Sequence, residues 1–251
     1  LVGTITIDQR FHGPPHSGNG GYTCGLVAAQ LDEQMTVALR SPPPLDTPLH
    51  VNAPDEHGVV TVYDRDVLVA TATPAAPVRS EPPAHVDAAT ATAAIEDYWG
   101  FTHDHIFPTC WVCGPDRAPG DGLRLFTGAV PDAPDNLVAA PWTPREDLDD
   151  GTGHVAPEHV WAALDCPSFF GLGAELPTAV LGSLTVTEHA PVRIGDVHVV
   201  LGWTRAPKHG RRFAGASAIT TSDGELVASG EATWVELSPE VAARMGVSPS
   251  R

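Results

Sequence analysis

The feature that most limits how this chain can fold is an enclosed-looking helix followed by a run of short strands, and the sequence carries it twice. The first copy opens on the Gly- and Pro-rich run 13–21 and continues through 22–31. That stretch has small or apolar residues on most faces and only Gln30 before Asp32 and Glu33. A helix this apolar must be buried nearly all round. Strand-like segments follow at 35–41, 49–53, 59–63 and 67–73, split by turn residues. The second copy has strand-like segments at 123–129 and 136–142, an acidic loop and a helix-like run at 157–166. Longer strands then span 181–189, 197–206, 212–221 and 225–237. Pro157 suits a first helical turn, where its missing N–H costs nothing, and Glu158 suits the positive end of a helix. Ser222-Asp223-Gly224 is a hairpin turn signal.

The copies also match in detail. Pro44-Leu-Asp-Thr-Pro-Leu-His-Val51 parallels Val192-Arg-Ile-Gly-Asp-Val-His-Val199, and Val67-Leu-Val-Ala-Thr-Ala72 parallels Glu225-Leu-Val-Ala-Ser-Gly230. A single apolar helix is enclosed if its strands curl round it, and two such units can join edge to edge. The expected fold is therefore α+β: two antiparallel sheets, each wrapped around a central helix, with the helices beginning near Asn19 and Pro157. Residues 74–85 are rich in Pro and Ala, a linker composition. The expected division is an N-terminal unit at 1–76, a linker at 77–108 with a short helix at 86–98, a C-terminal unit at 109–240, and a tail at 241–251.

Charge narrows the partners. Fourteen Lys and Arg stand against 31 Asp and Glu, a formal net charge of −17, which repels nucleic-acid phosphates and anionic lipid. The dense basic cluster is Arg205, Lys208, His209, Arg211 and Arg212, read as a solvated strand turn or a phosphate contact. No stretch approaches the roughly 20 apolar residues a spanning helix needs. Residues 1–10 read as a strand and lack the basic start and apolar core of a secretory leader, so a cytoplasmic address is expected. Four cysteines in such a chain do not suggest a disulfide framework. His103 and His105 upstream of Cys110 and Cys113 have the residue types of a tetrahedral zinc site. A lone Cys-x-x-Cys is weak support, and Phe107-Pro108 suits a packed entry into a strand, so no metal ligand is assigned.

With these residues the layout resembles the double-hotdog acyl-CoA thioesterases, especially the type II enzymes, over nearly the whole chain. Asn19-Gly20-Gly21-Tyr-Thr-Cys-Gly25 is similar to the Gly-Gly start of the first hotdog helix. Ala163-Leu-Asp165 is similar to the position of that family's catalytic aspartate. His189-x-Pro-x-Arg193 and the run 222–229 resemble its closing strands. Cys110-Trp-Val-Cys-Gly-Pro115, followed by Gly122-Leu-Arg-Leu125, resembles a segment of single-hotdog thioesterases. The resemblance implies a small-molecule acyl thioester as partner, a monomer or homo-oligomer, and no cofactor beyond the coenzyme A moiety of the substrate itself.

The chemistry expected of the residues agrees in part. Hydrolysis of a thioester needs a carbonyl polariser and an activator of water. A helix start supplies free N–H groups, and glycine lets a carbonyl oxygen approach them. Asn19, Gly20 and Gly21 fit that role, with Tyr22, His16 and Trp161 as neighbours able to contact substrate. Asp165 stands in an apolar stretch, where burial would raise its pKa and suit it to act as general base. The type II pattern fails elsewhere. Ala232 stands where the family has a glutamine, Glu231 beside it points to the opposite face, and only Ser183 could replace the family's hydroxyl residue. The first helix has Ala28 where some single-hotdog enzymes carry an acid, so at most one composite site per chain is expected. The alternatives are a non-catalytic acyl-binding protein and a dehydratase or hydratase using Asp149 and His154. Cys166 follows Asp165 directly; consecutive helical residues point about 100° apart, so the two are not expected to share a site.

Overall fold

The computed structural model describes residues 2–245 and 247. Its strands are β1 (Gly3–Ile5), β2 (Met35–Leu39), β3 (Leu49–Val51), β4 (Val60–Asp64), β5 (Val67–Pro74), β6 (Gly128–Ala129), β7 (Val138–Trp142), β8 (Ala179–Glu188), β9 (His198–His209), β10 (Arg212–Thr221) and β11 (Leu226–Glu236). Its α-helices are α1 (Gly20–Ala28), α2 (Ala88–Ala94), α3 (Trp99–Thr102), α4 (Pro157–Phe170) and α5 (Pro239–Arg244). The strands form one 11-stranded antiparallel sheet in the order β1-β3-β4-β5-β2-β8-β11-β10-β9-β7-β6. The order 1-3-4-5-2 recurs as 7-9-10-11-8, back to back across the β2–β8 seam, and β6 extends the far edge.

The two expected sheets join edge to edge into a single sheet. Its seam is the backbone register Thr36↔Thr185, Val37↔Leu184 and Ala38↔Ser183. Side chains reinforce it. The Thr36 and Thr185 hydroxyls lie 2.7 Å apart, and Gln34 donates to the Val186 carbonyl at 2.8 Å while accepting from Thr187 at 2.9 Å. Cross-strand hydroxyl pairs of this kind help fix register.

Helix α4 packs against β7–β11, whereas α1 packs chiefly on α4 and on the seam strands. Two glycines one helical turn apart bring α1 and α4 into contact. A Cβ on Gly25 would lie 2.6 Å from Glu158 Cα, and one on Gly21 would lie 2.8 Å from the Trp161 carbonyl and collide with Asp165 Cβ. Any larger residue would force the helices apart.

Several elements differ from the sequence reading. Helix α4 does not stop at 166 but runs through Pro167 to Phe170. Proline removes an N–H from the ladder, and nearby serines occupy neighbouring carbonyls: Ser217 donates to Leu164 O at 2.7 Å and Ser168 to Asp165 O at 2.6 Å. The segment 123–127 is not a strand, because Arg124 adopts φ 54° and breaks the extended run. Instead the Leu123 and Leu125 N–H groups bond the Trp111 and Val112 carbonyls. The linker is tied down: Val78 N–H donates to Thr187 and Ser80 to Glu231, and α2 with its flanks covers a second apolar cluster containing Leu137, Leu201 and Trp203. The expected tail begins inside α5; its residues 246 and 248–251, like Leu1, lie outside the described residues. No described helix is long and apolar enough to cross a membrane.

Candidate functional site

The start of α1 and the middle of α4 meet at one carboxylate. Asn19 caps α1, its Oδ1 accepting the Tyr22 N–H at 2.9 Å. That bond fixes the amide, whose Nδ2 donates to Asp165 Oδ2 at 3.0 Å. The Gly21 N–H donates to the same oxygen at 2.9 Å. Asn19 and Asp165 are each 2% exposed. Asp165 Oδ1 has no hydrogen-bond partner. Burial pushes the Asp165 pKa up to about 7, against the pull of the Gly21 N–H and the Asn19 amide. A carboxylate so placed can take and return a proton near neutral pH.

Asp165 belongs to the wall of a largely apolar cavity of about 250 Å³. Phe169, Phe170, Leu181 and Trp234 supply much of its apolar surface, and Asn19 and Gly20 form the polar end with Asp165. Exposed Arg40 also borders it. The Gly20 N–H donates no hydrogen bond within the described residues. Gly20 must remain small, since a Cβ there would lie 2.9 Å from the Leu181 side chain.

The residues expected at the site separate into two groups. Asn19, Gly20 and Asp165 come together at the cavity. Gly21 adjoins them but spends its N–H on Asp165, so it is not a free donor to substrate. The other three lie off the cavity wall. Tyr22 stacks on Phe11 at a centroid distance of 4.1 Å, in an aromatic cluster with Trp111 and His159. Trp161 lines a different depression, with Ala28 and Pro157. His16 is exposed in a turn at φ 70°. The 100° step between helical neighbours carries Tyr22 off the face that Gly21 presents to Asp165.

The same step does not separate Asp165 from Cys166: both border the cavity, together with Cys110 and Cys113. The cavity is broad enough to span two adjacent helical directions, which sequence spacing does not show. The Cys110 thiol is held well below its ordinary range, by the Cys113 and Cys166 thiols and by the backbone N–H groups of Val112 and Cys113. His105 borders the cavity, but its two ring nitrogens engage Tyr98 Oη and the Phe107 N–H, while exposed His103 stacks on Trp99. The pattern His-x-His…Cys-x-x-Cys therefore does not converge on one point.

The remaining candidates stand apart. Trp234, two residues beyond Ala232 on the same strand face, borders the cavity and donates its indole N–H to Ser168 at 2.9 Å. Glu231 faces the other way and binds Ser80 and Arg205. Ser183 is paired in the seam and absent from the cavity wall. Asp149 folds its own loop, accepting the Gly151 and Gly153 N–H groups, and neither it nor His154 reaches the cavity. The basic cluster lies on the β9–β10 hairpin, where Arg205 and Lys208 are paired with Glu231 and Glu236.

No family model and no curated protein matches the chain. Solved structures do. A hot dog fold protein from Alicyclobacillus acidocaldarius superposes with a TM-score of 0.60 at 14% identity, covering 94% of this chain and 93% of that one. The tesB protein of Mycobacterium avium subspecies paratuberculosis gives 0.58 at 13%, covering 94% and 92%. A Novosphingobium aromaticivorans protein, provisionally assigned as a thioesterase, gives 0.60 at 12%, covering 94% and 95%. These full-length matches at low identity establish a shared fold, the hotdog fold in its doubled form.

Proposed function

We propose that the chain hydrolyses an acyl thioester, of coenzyme A or of an acyl carrier, at the junction of α1 and α4. The observation that carries this reading is the asymmetry of the Asp165 carboxyl. Two donors hold Oδ2 in place, while Oδ1 is buried without a partner on a side chain that borders an apolar cavity. A structural carboxylate would be expected to have both oxygens satisfied.

In this reading the acyl chain lies along Phe169, Phe170, Leu181 and Trp234, and Asp165 Oδ1 takes a proton from a water as its oxygen attacks the thioester carbonyl. Negative charge develops on the carbonyl oxygen, which is received by the Gly20 N–H, while the Asn19 amide holds Asp165 and donates to the Cys110 sulfur. The tetrahedral species then collapses, the carbon–sulfur bond breaks, and the proton on Asp165 passes to the departing thiolate. Gly21 acts one step removed, holding Asp165 rather than substrate. The full-length fold shared with the tesB protein supports this reaction class.

A second reading, an acyl-group binder without turnover, is favoured by Ala232, which leaves the cavity without the side-chain amide that the type II pattern would put there. A thiol-release assay across short to long acyl-CoAs separates the two. Release by the parent with loss in Asp165→Asn supports hydrolysis. Acyl-chain binding with no thiol release at any length supports the binder. Undiminished release by Asp165→Asn would remove the mechanism.

A further inference from the structure

We propose that Cys110, Cys113 and Cys166 form a binding site for a thiophilic divalent ion of the zinc class, set into the wall of the acyl cavity. The three sulfurs all lie within 4.8 Å of one another, and Cys110 and Cys166 are 3.9 Å apart. Tetrahedral sulfur ligands at about 2.3 Å from an ion stand roughly 3.8 Å from each other. One edge of the triangle already has that length, and the others need to close by no more than about 1 Å to meet it. All four cysteines of the chain are free and buried.

The supporting frame suits an ion as well as the spacing does. Cys110 and Cys113 lie in one tight turn, closed by the Gly114 N–H bonding the Cys110 carbonyl. Gly114 is required there, since a Cβ would meet the Cys110 N and O and the Pro108 carbonyl within 2.6 Å. The Asn19 amide donates to the Cys110 sulfur at 3.8 Å. Donors of this kind around a metal-bound thiolate orient it and spread its charge. The third sulfur comes from a separate element, α4, which fixes it independently of the turn. Buried cysteines often serve only as small apolar residues. Cys24 shows that case: it is buried in α1, and its thiol donates to the Val37 carbonyl.

The donor set differs from the His103–His105–Cys110–Cys113 set that the sequence spacing offered, because the histidines are engaged elsewhere. Three thiolates leave a tetrahedral ion with one position for an exogenous ligand, and all three cysteines border the cavity from which it would come.

Cobalt(II) titration of the reduced, metal-stripped full chain tests the site directly. Thiolate-to-cobalt charge transfer in the near ultraviolet, with the visible bands of a tetrahedral ion, should saturate at one equivalent and be displaced by zinc. Cys24→Ser should leave the spectrum unchanged, and Cys113→Ser and Cys166→Ser should each weaken cobalt binding at least tenfold with the far-ultraviolet circular dichroism preserved. Absence of a charge-transfer band in the folded parent would overturn the proposal. So would a band of full intensity and unchanged affinity in Cys166→Ser. Should a serine variant fail to fold, zinc release from the native parent on titrating its thiols with a mercurial gives the same decision.

Discussion

The two halves of this molecule repeat one topology, yet the places where each central helix begins are chemically unlike. Helix α1 begins with Asn19 as cap and two glycines, and across from it stands Asp165. Helix α4 begins with Ala156, which makes no side-chain cap, then Pro157, which has no N–H, and Glu158. Across from that start stands Ala28, as far along α1 as Asp165 is along α4. The first junction borders the apolar cavity; the second is a depression shared by Ala28, Gln34, Trp161 and Glu188. A fold duplicated in one chain can specialise one junction and let the other drift, because the sheet and the α1–α4 contact hold both in place.

The sharpest way to break the comparison is to remove the acid. Asp165→Asn keeps the shape of the side chain and places an NH₂ or a neutral oxygen opposite Gly21 and Asn19. Thiol release should fall about a hundred- to ten-thousand-fold, the range for loss of a general base, with acyl-chain binding retained. Steady-state rates beside ligand-dependent thermal shifts measure both.

A second effect, on stability, belongs to the aromatic cluster between the two helix starts. Burial lowers the His159 pKa from 6.5 to about 4, and its Nδ1 has no partner. The native state therefore keeps this ring neutral while the unfolded chain takes a proton below about pH 6.5. The stability contributed by the neutral ring is present above that pH and is lost as pH falls toward 4. The loss amounts to about 3 kcal/mol at 1.36 kcal/mol per pKa unit. His159→Phe should flatten that limb of the parent's stability curve, read by denaturant unfolding between pH 7 and pH 4. An equal slope in the variant would show that carboxylates alone carry the acid sensitivity.

Two glycines then sharpen what the α1 start contributes. Gly21→Ala and Gly25→Ala both crowd α4 and should each destabilise by about 1–3 kcal/mol, the usual cost of overpacking. Only Gly21 touches Asp165. Thermal melts should therefore move together while thiol release falls in Gly21→Ala far more than in Gly25→Ala. Parallel loss of activity would mean that helix spacing, rather than the Gly21 contact, sets the site.

Much of this architecture is written in local sequence. The two buried helices are marked by apolar runs with Asn19 and Pro157 at their starts, and the turn residues mark most strands. The joining of Asn19 to Asp165 follows once both helices are known to belong to a repeated unit. What eludes local reading depends on distant partners. Pro167 stays helical because Ser217 on β10 and Ser168 take carbonyls near the gap in the ladder. Residues 123–127 leave the sheet because Trp111 and Val112 accept their N–H groups. Gly21 is a donor to Asp165, and Cys166 reaches the same cavity as its neighbour, only through the way α1 and α4 cross. Tyr22 and Trp161 sit beside the right residues in sequence but on other helical faces.

The smallest expected effect tests the other junction. Ala28→Asp puts a carboxylate at the place on α1 that corresponds to Asp165 on α4. Ala28 is only partly buried, so the new group can reach water, and the cost to stability should stay within about 1 kcal/mol. It should not create a second site. The α4 start offers it no capping amide and, with Pro157 in the place of Gly20, no N–H for an oxyanion, and Glu188 of the same depression adds like charge. In an Asp165→Asn background, Ala28→Asp should therefore release no more thiol than Asp165→Asn alone. Recovery of even a tenth of the parental rate would mean that a carboxylate near a helix start suffices. The Asn19 and Gly21 donors would then be incidental to the asymmetry. If recovery instead requires Ala156→Asn and Pro157→Gly as well, the difference between the junctions lies in the cap amide and the first helical N–H that α4 lacks.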